Sequence, residues 1–160
     1  MRLRILTINM YNGRADAGSL ASALHEYVPD VVAAQELSSA GAEVLADWGD
    51  NYLLDPRNDL TGMGTAVRGS ASFSRLDFPN RNPVTATLPA VDWGLDRDLD
   101  IVNAHLVNPI SRPLQKSRML RTLELAALEQ LLAASNGNLS RVLVGDLNSS
   151  PAWPLYRRLA

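Results

Sequence analysis

Arg141-Val142-Leu143-Val144-Gly145-Asp146-Leu147-Asn148-Ser149-Ser150-Pro151 reads as a strand that stops abruptly. Three apolar residues in a row are too few for a helix and suit a buried strand. A glycine, an acid and an amide follow. In extended chain a spacing of two places Asp146 and Asn148 on one side. Ser150 suits a helix N-cap and Pro151 a first helical position. The stretch therefore predicts a strand presenting a carboxylate and an amide at its C-terminal edge.

Three further segments share that design. Leu3 to Met10 is mostly apolar and carries Asn9 near its end. Val31-Val32-Ala33-Ala34 closes on Gln35-Glu36, and Leu99 to Leu106 closes on Asn103-Ala104-His105. If these ends share one rim, they supply two carboxylates, two amides and one imidazole. Such a set can bind a divalent cation, orient a water and contact a phosphate. It holds no serine or cysteine nucleophile beside an obvious base. No phosphate-cradling P-loop is present, nor a Gly-x-Gly-x-x-Gly after the first strand.

Around these strands the periodicity predicts helices over 19–27, from Ser38-Ser39 to about Trp48, and from Arg112-Pro113 to about Ala134. The last has an apolar stripe of Leu120, Leu123, Ala127, Leu128, Leu131 and Leu132. Asn136-Gly137-Asn138 would stop it, and a short helix to Leu159 would end the chain. Residues 52–54 and 84–88 read as strands, 64–68 and 71–78 as strands paired around Gly69, and 91–97 as a loop. Strand and helix order fits an α/β sandwich with helices outside sheets rather than a strict βαβ repeat.

Composition narrows the chemistry. At 160 residues and 46% hydrophobic, the chain suits one domain, 1–160, with its own core. Without cysteine it has neither disulfides nor thiolate metal ligands. Oxygen ligands point to hard ions. A net charge of −2 argues against tight, sequence-independent DNA binding but not against a local basic groove. No stretch is long enough to span a membrane, and no signal peptide stands out, so the expected compartment is the cytoplasm.

Taken in order, "ILTINMYNG", "PDVVAAQEL", "GMGTAVRGS", "IVNAHLVNP" and "VLVGDLNSSP" resemble the motifs of the endonuclease/exonuclease/phosphatase superfamily, the DNase I-like proteins. The resemblance implies a two-sheet, four-layer sandwich and a phosphoester hydrolase using Mg2+ or Mn2+. It implies Glu36 as principal metal ligand with Asn9 beside it, and His105 and Asn148 toward the scissile phosphate. Asp146 would orient the attacking water. Asn108 and Arg81 are further candidates for phosphate contact, and Arg112, Lys116, Arg118 and Arg121 for a cationic funnel. The substrate would be a nucleic acid, a phospholipid or a small phosphate ester. The family pattern closes with a further strand bearing an Asp-His pair, which this sequence lacks. That implies a domain without its C-terminal strands, open to self-association through a bare sheet edge. It also sets a second expectation beside the hydrolase: an inactive truncated domain retaining at most metal or phosphate binding.

Overall fold

In a computed structural model the described residues are 2–11, 14–134 and 139–149. They form two four-stranded sheets. The first contains β1 (Ile5–Asn9), β2 (Val31–Gln35), β3 (Asn51–Asp55) and β4 (Met63–Val67), in the order β1-β2-β4-β3. The second contains β5 (Ser72–Arg75), β6 (Val84–Leu88), β7 (Asp98–His105) and β8 (Leu139–Asp146), in chain order.

Both sheets have one spatial pattern. A parallel pair, β1 with β2 or β8 with β7, adjoins two strands added antiparallel. A parallel pair needs a crossover, and a helix supplies it each time. α1 (Ala17–Tyr27) links β1 to β2, and α4 (Leu114–Ala133) links β7 to β8. α2 (Ser39–Trp48) follows β2, and a single turn, α3 (Ala90–Trp93), occupies part of the stretch expected to be loop.

Sequence and structure agree closely on the first two helices. Asp16 caps α1 by accepting the Gly18 and Ser19 amides, and Ser38 caps α2 by accepting that of Gly41. Leu20 and Leu24 of α1 and Ala42 and Leu45 of α2 pack with Leu6, Ile8, Val32 and Ala34 on the outer face of the first sheet. Leu128, Leu125 and Leu131 of α4 pack with Leu143, Leu106 and Phe78 against the second. The layers are thus helices, sheet, sheet, helix.

The layer between the sheets changes character along its length. Val31, Val67, Ile101, Leu88 and Trp93 fill one end. Toward the other, buried positions become polar: Thr65, Gln35, Thr85 and Asn103. The strand register brings Asn9 opposite Gln35 and His105 opposite Asp146 at that polar end. At Gly145, φ is +120° and an added Cβ would lie 2.0 Å from the Ala104 carbonyl oxygen. Only glycine lets β8 approach β7 this closely just before it presents Asp146.

Two expectations are corrected. Strands 64–68 and 71–78 do not pair around Gly69. β4 lies between β2 and β3, and β5 pairs with β6, so Gly69 carries the chain from one sheet to the other. The Trp93 ring lies against Gly69, and its indole N–H donates to the Ser70 carbonyl at 2.7 Å. Nor are Asp146 and Asn148 set side by side by extended chain. Asn148 has φ 46° and folds back so that its N–H donates to Asp146 Oδ1 at 2.8 Å. The proposed stop at 136–138, the Ser150–Pro151 cap and the final helix lie outside the described residues.

Candidate active site

Asn9, Glu36, His105 and Asp146 come from four strand ends in two sheets and meet in one cluster. The Asn9 amide Nδ2 donates to Asp146 Oδ2 at 2.9 Å and to Glu36 Oε1 at 3.3 Å. His105 Nε2 stands 3.8 Å from Glu36 Oε1 and 3.7 Å from Asp146 Oδ2. Two carboxylates thus face one amide and one imidazole. Their mutual repulsion is offset by the shared Asn9 donor.

The backbone is bent to make this arrangement. Among described non-glycine residues, φ is positive at Tyr11, Val28, Glu36 and Asn148. Val28 ends α1, and the other three lie in or beside the cluster. Such conformations cost of order 1–3 kcal/mol each and persist where surroundings hold them. Glu36 is held because β2 ends at Gln35, the Leu37 amide donates to Gly62, and the Leu37 carbonyl accepts from Arg57. Asn9 Oδ1 accepts the Tyr11 amide at 2.8 Å.

Burial separates the acids. The Glu36 side chain is 10% exposed and that of Asp146 33%. Glu36 Oε2 is buried and has no hydrogen-bond partner among the described residues. An orphaned carboxylate oxygen is costly unless a cation or proton meets it. His105 is 3% exposed, and burial, with the nearby Arg81 charge, pushes its pKa down to about 4 against the opposing pull of Asp146. Its imidazole is therefore neutral at pH 7.

Hard oxygen donors with an orphaned Glu36 oxygen fit a magnesium-type ion. No group of three His, Cys, Asp or Glu that could hold a metal is formed among the described residues. Magnesium commonly takes only one or two carboxylates and keeps several waters, which is compatible with this set.

The remaining candidates sit one step back. Asn148 Nδ2 donates to the Leu106 carbonyl at 2.8 Å, and Arg81 Nη1 donates to the same oxygen at 3.2 Å. Asn108 Oδ1 accepts the Ile110 amide at 3.1 Å, which stabilises its own turn. Arg112, Lys116 and Arg118 are exposed, but Arg121 is buried and does not belong to a solvated cationic face.

Sequence reasoning missed two supports. Behind the cluster, Asn103 Nδ2 donates to the Gly64 and Ala34 carbonyls at 2.8 and 3.1 Å, and Gln35 Nε2 donates to Asn103 Oδ1 at 2.8 Å. These side chains join the sheets directly below the site. Their signal was a polar residue inside an apolar strand. Replacing Asn103 by alanine orphans buried partners and is expected to cost about 1–3 kcal/mol, read as a lower urea midpoint. The second support is a clamp on the peptide after His105. Val107 N–H donates to Glu124 Oε2 at 2.7 Å, and Arg121 Nη1 donates to the Val107 carbonyl at 2.9 Å. Leu106 N–H donates to the Asp146 carbonyl at 3.0 Å, while Asn148 and Arg81 hold the Leu106 carbonyl. All four backbone polar groups of 106–107 are thereby bonded, three of them by side chains remote in sequence.

This two-sheet α/β sandwich has known counterparts. The Endonuclease/Exonuclease/phosphatase family matches residues 6–160, and the chain belongs to that family. Its fold is DNase I-like. A humanized D. rerio TDP2 is 23% identical, with a TM-score of 0.75 over 94% of this chain and 64% of that one. An AP endonuclease from Archaeoglobus fulgidus is 17% identical, with a TM-score of 0.70 over 94% of this chain and 59% of that one. The 3' phosphatase NExo from Neisseria, bound to product DNA hairpin, is 19% identical, with a TM-score of 0.65 over 94% and 60%. This chain therefore spans about 60% of the length of these proteins. At such identities the likeness is one of fold. No curated protein matches the sequence. Among the described residues no helix is long and apolar enough to cross a membrane.

Proposed function

We propose that this protein is a divalent-metal-dependent phosphoester hydrolase acting by water attack on phosphorus. The observation that carries the reading is the meeting of Glu36, Asn9, His105 and Asp146 through Asn9 Nδ2 and His105 Nε2. Family membership supports it, as do structural neighbours named as phosphatase and endonuclease.

Glu36 would hold Mg2+ or Mn2+, with Asn9 beside it turning its Nδ2 to both carboxylates and fixing their positions. When bound, such an ion neutralises charge developing on the phosphoryl oxygens. Asp146 is the more open acid, and its role is to orient a water and draw off its proton. His105, neutral and buried, can donate an N–H to a phosphate oxygen without the repulsion from Arg81 that a second positive charge would meet. Asn148 keeps one Nδ2 hydrogen for phosphate beyond the one it gives to Leu106. Neighbours described with bound DNA products support a nucleic-acid substrate.

The deciding experiment is a phosphodiester assay with graded Mg2+ and with EDTA. Wild type is expected to be stimulated by the ion, and Glu36→Ala to lose that stimulation while keeping its circular dichroism spectrum. Equal, EDTA-resistant hydrolysis by both would overturn the assignment.

A further inference from the structure

The rim that carries the cluster continues across both sheets, away from β1 and β8. Its far half holds a small polar cavity of about 110 Å³. Arg57, Arg75 and Arg81 line it together with Thr61, Asn80 and Asn82. Asp55 also lines it, from the end of β3, and bridges Arg57 and Arg75 at 3.1 Å each. The two guanidiniums reach that acid from opposite sheets, since Arg75 ends β5. Three cations against Asp55, with Asp59 nearby, leave the cavity net positive in a protein that is net negative.

These arginines have donors to give. Arg57 offers Asp55 its Nε and one Nη2 hydrogen, and Arg75 offers one Nη1 hydrogen. A guanidinium has five N–H groups, so several on each remain beyond those given to Asp55. Arg81 links the two halves of the rim: it lines the cavity, yet donates to the Leu106 carbonyl beside His105. Its Nε is buried without a partner among the described residues. The lining is mostly polar, with three guanidiniums and no aromatic ring on which a base could stack, and so suits an anion.

Distance defines the ligand. Register sets Met63 between Gln35 and Asp55 in one sheet, and Val84 between Asn103 and Arg75 in the other. The cavity mouth is thus two strands away from the Glu36–His105 pair, roughly 10 Å at the usual strand spacing. A simple monoester does not reach across that gap, whereas a polynucleotide places a neighbouring phosphate there.

Building on the phosphoester reading, we propose that the Arg57–Arg75–Arg81 cavity is a subsite for a second backbone phosphate of a polynucleotide strand whose scissile phosphate lies at Glu36, His105 and Asp146. The strand would run along the rim, across the strand ends of both sheets.

The test uses anisotropy of a labelled single-stranded oligonucleotide in EDTA over a salt series, beside hydrolysis of bis(p-nitrophenyl) phosphate in Mg2+. The Arg57→Gln/Arg75→Gln double variant should bind the oligonucleotide about tenfold more weakly, with a log–log salt slope shallower by about 0.7 per lost contact. Its rate on the small diester should be unchanged. Asp55→Asn, which frees both guanidiniums, should tighten oligonucleotide binding, an outcome that a purely structural bridge does not produce. Failure of wild type to bind the oligonucleotide, or an affinity and slope unmoved by the double variant, overturns the subsite. Arginine-dependent binding by a protein that hydrolyses neither substrate would leave the subsite standing and remove the hydrolase reading instead.

Discussion

Asp146→Ala is expected to lower kcat on a phosphodiester by about 10²–10⁴-fold, the usual contribution of a positioned acid–base group. Asp146 ends β8, where Gly145 allows the close approach to β7. One of its oxygens is shared with Asn9 and faces His105, and the other accepts the Asn148 amide. It is the acid of the pair with access to water. Loss of the Asn148 bond alone would disturb the loop slightly, so Asp146→Asn is the better control. It keeps an oxygen for that N–H but lacks the charge and basicity. Both variants should melt within a few degrees of wild type and both should be inactive in Mg2+. A turnover for Asp146→Asn close to wild type would show that the carboxylate does no proton chemistry.

Glu124→Ala should destabilise the fold more than other single changes in α4, by about 3–5 kcal/mol, the range for removing one member of a buried charged set. Glu124 is fully buried and accepts the Val107 amide. Its removal leaves that N–H unpaired and takes away the negative charge that most favours the charged forms of Arg121 and Arg81. For a chain of this size the loss corresponds to a melting point lower by roughly 10 °C. Glu124→Gln keeps an oxygen acceptor and should lose far less. Burial raises the Glu124 pKa above 4.5 despite the Val107 bond and the two arginines. The native state thus binds this proton more tightly than the unfolded chain does. The stability from that linkage is full below pH 4.5 and is lost as pH rises through the native value. Glu124→Gln should remove this component of the pH dependence, and equal slopes for the two proteins would count against it.

The strand ends were legible in the sequence because a short apolar run followed by a polar residue has few other readings. Asn9, Glu36, His105 and Asp146 each stood in that position, and each reached the cluster. Helix caps at Ser38 and the crossover helices were legible for the same local reason. Sheet partners were not. Gly69 between two β-like runs has the local signature of a hairpin, and only Trp93, far along the chain, reveals that the segment passes between sheets. Arg121 and Glu124, three apart on a helix, look like a solvated pair in sequence. Their burial follows from the Val107 peptide folding back onto α4, a contact with no local trace. The backbone reversals at Glu36 and Asn148 were equally silent, since neither residue type demands a left-handed conformation.

The repeated strand pattern has a thermodynamic consequence. Each sheet supplies half of the cluster: Asn9 and Glu36 from one, His105 and Asp146 from the other. A ligand gripped by both halves is therefore also a rivet between the layers. Its binding free energy adds to their cohesion as RT ln(1 + [L]/Kd), about 2.7 kcal/mol at a hundredfold excess over Kd. Occupancy and the integrity of the sandwich are one linked equilibrium, so filling the site raises the free energy needed to part the layers without any change in the contacts of the seam itself.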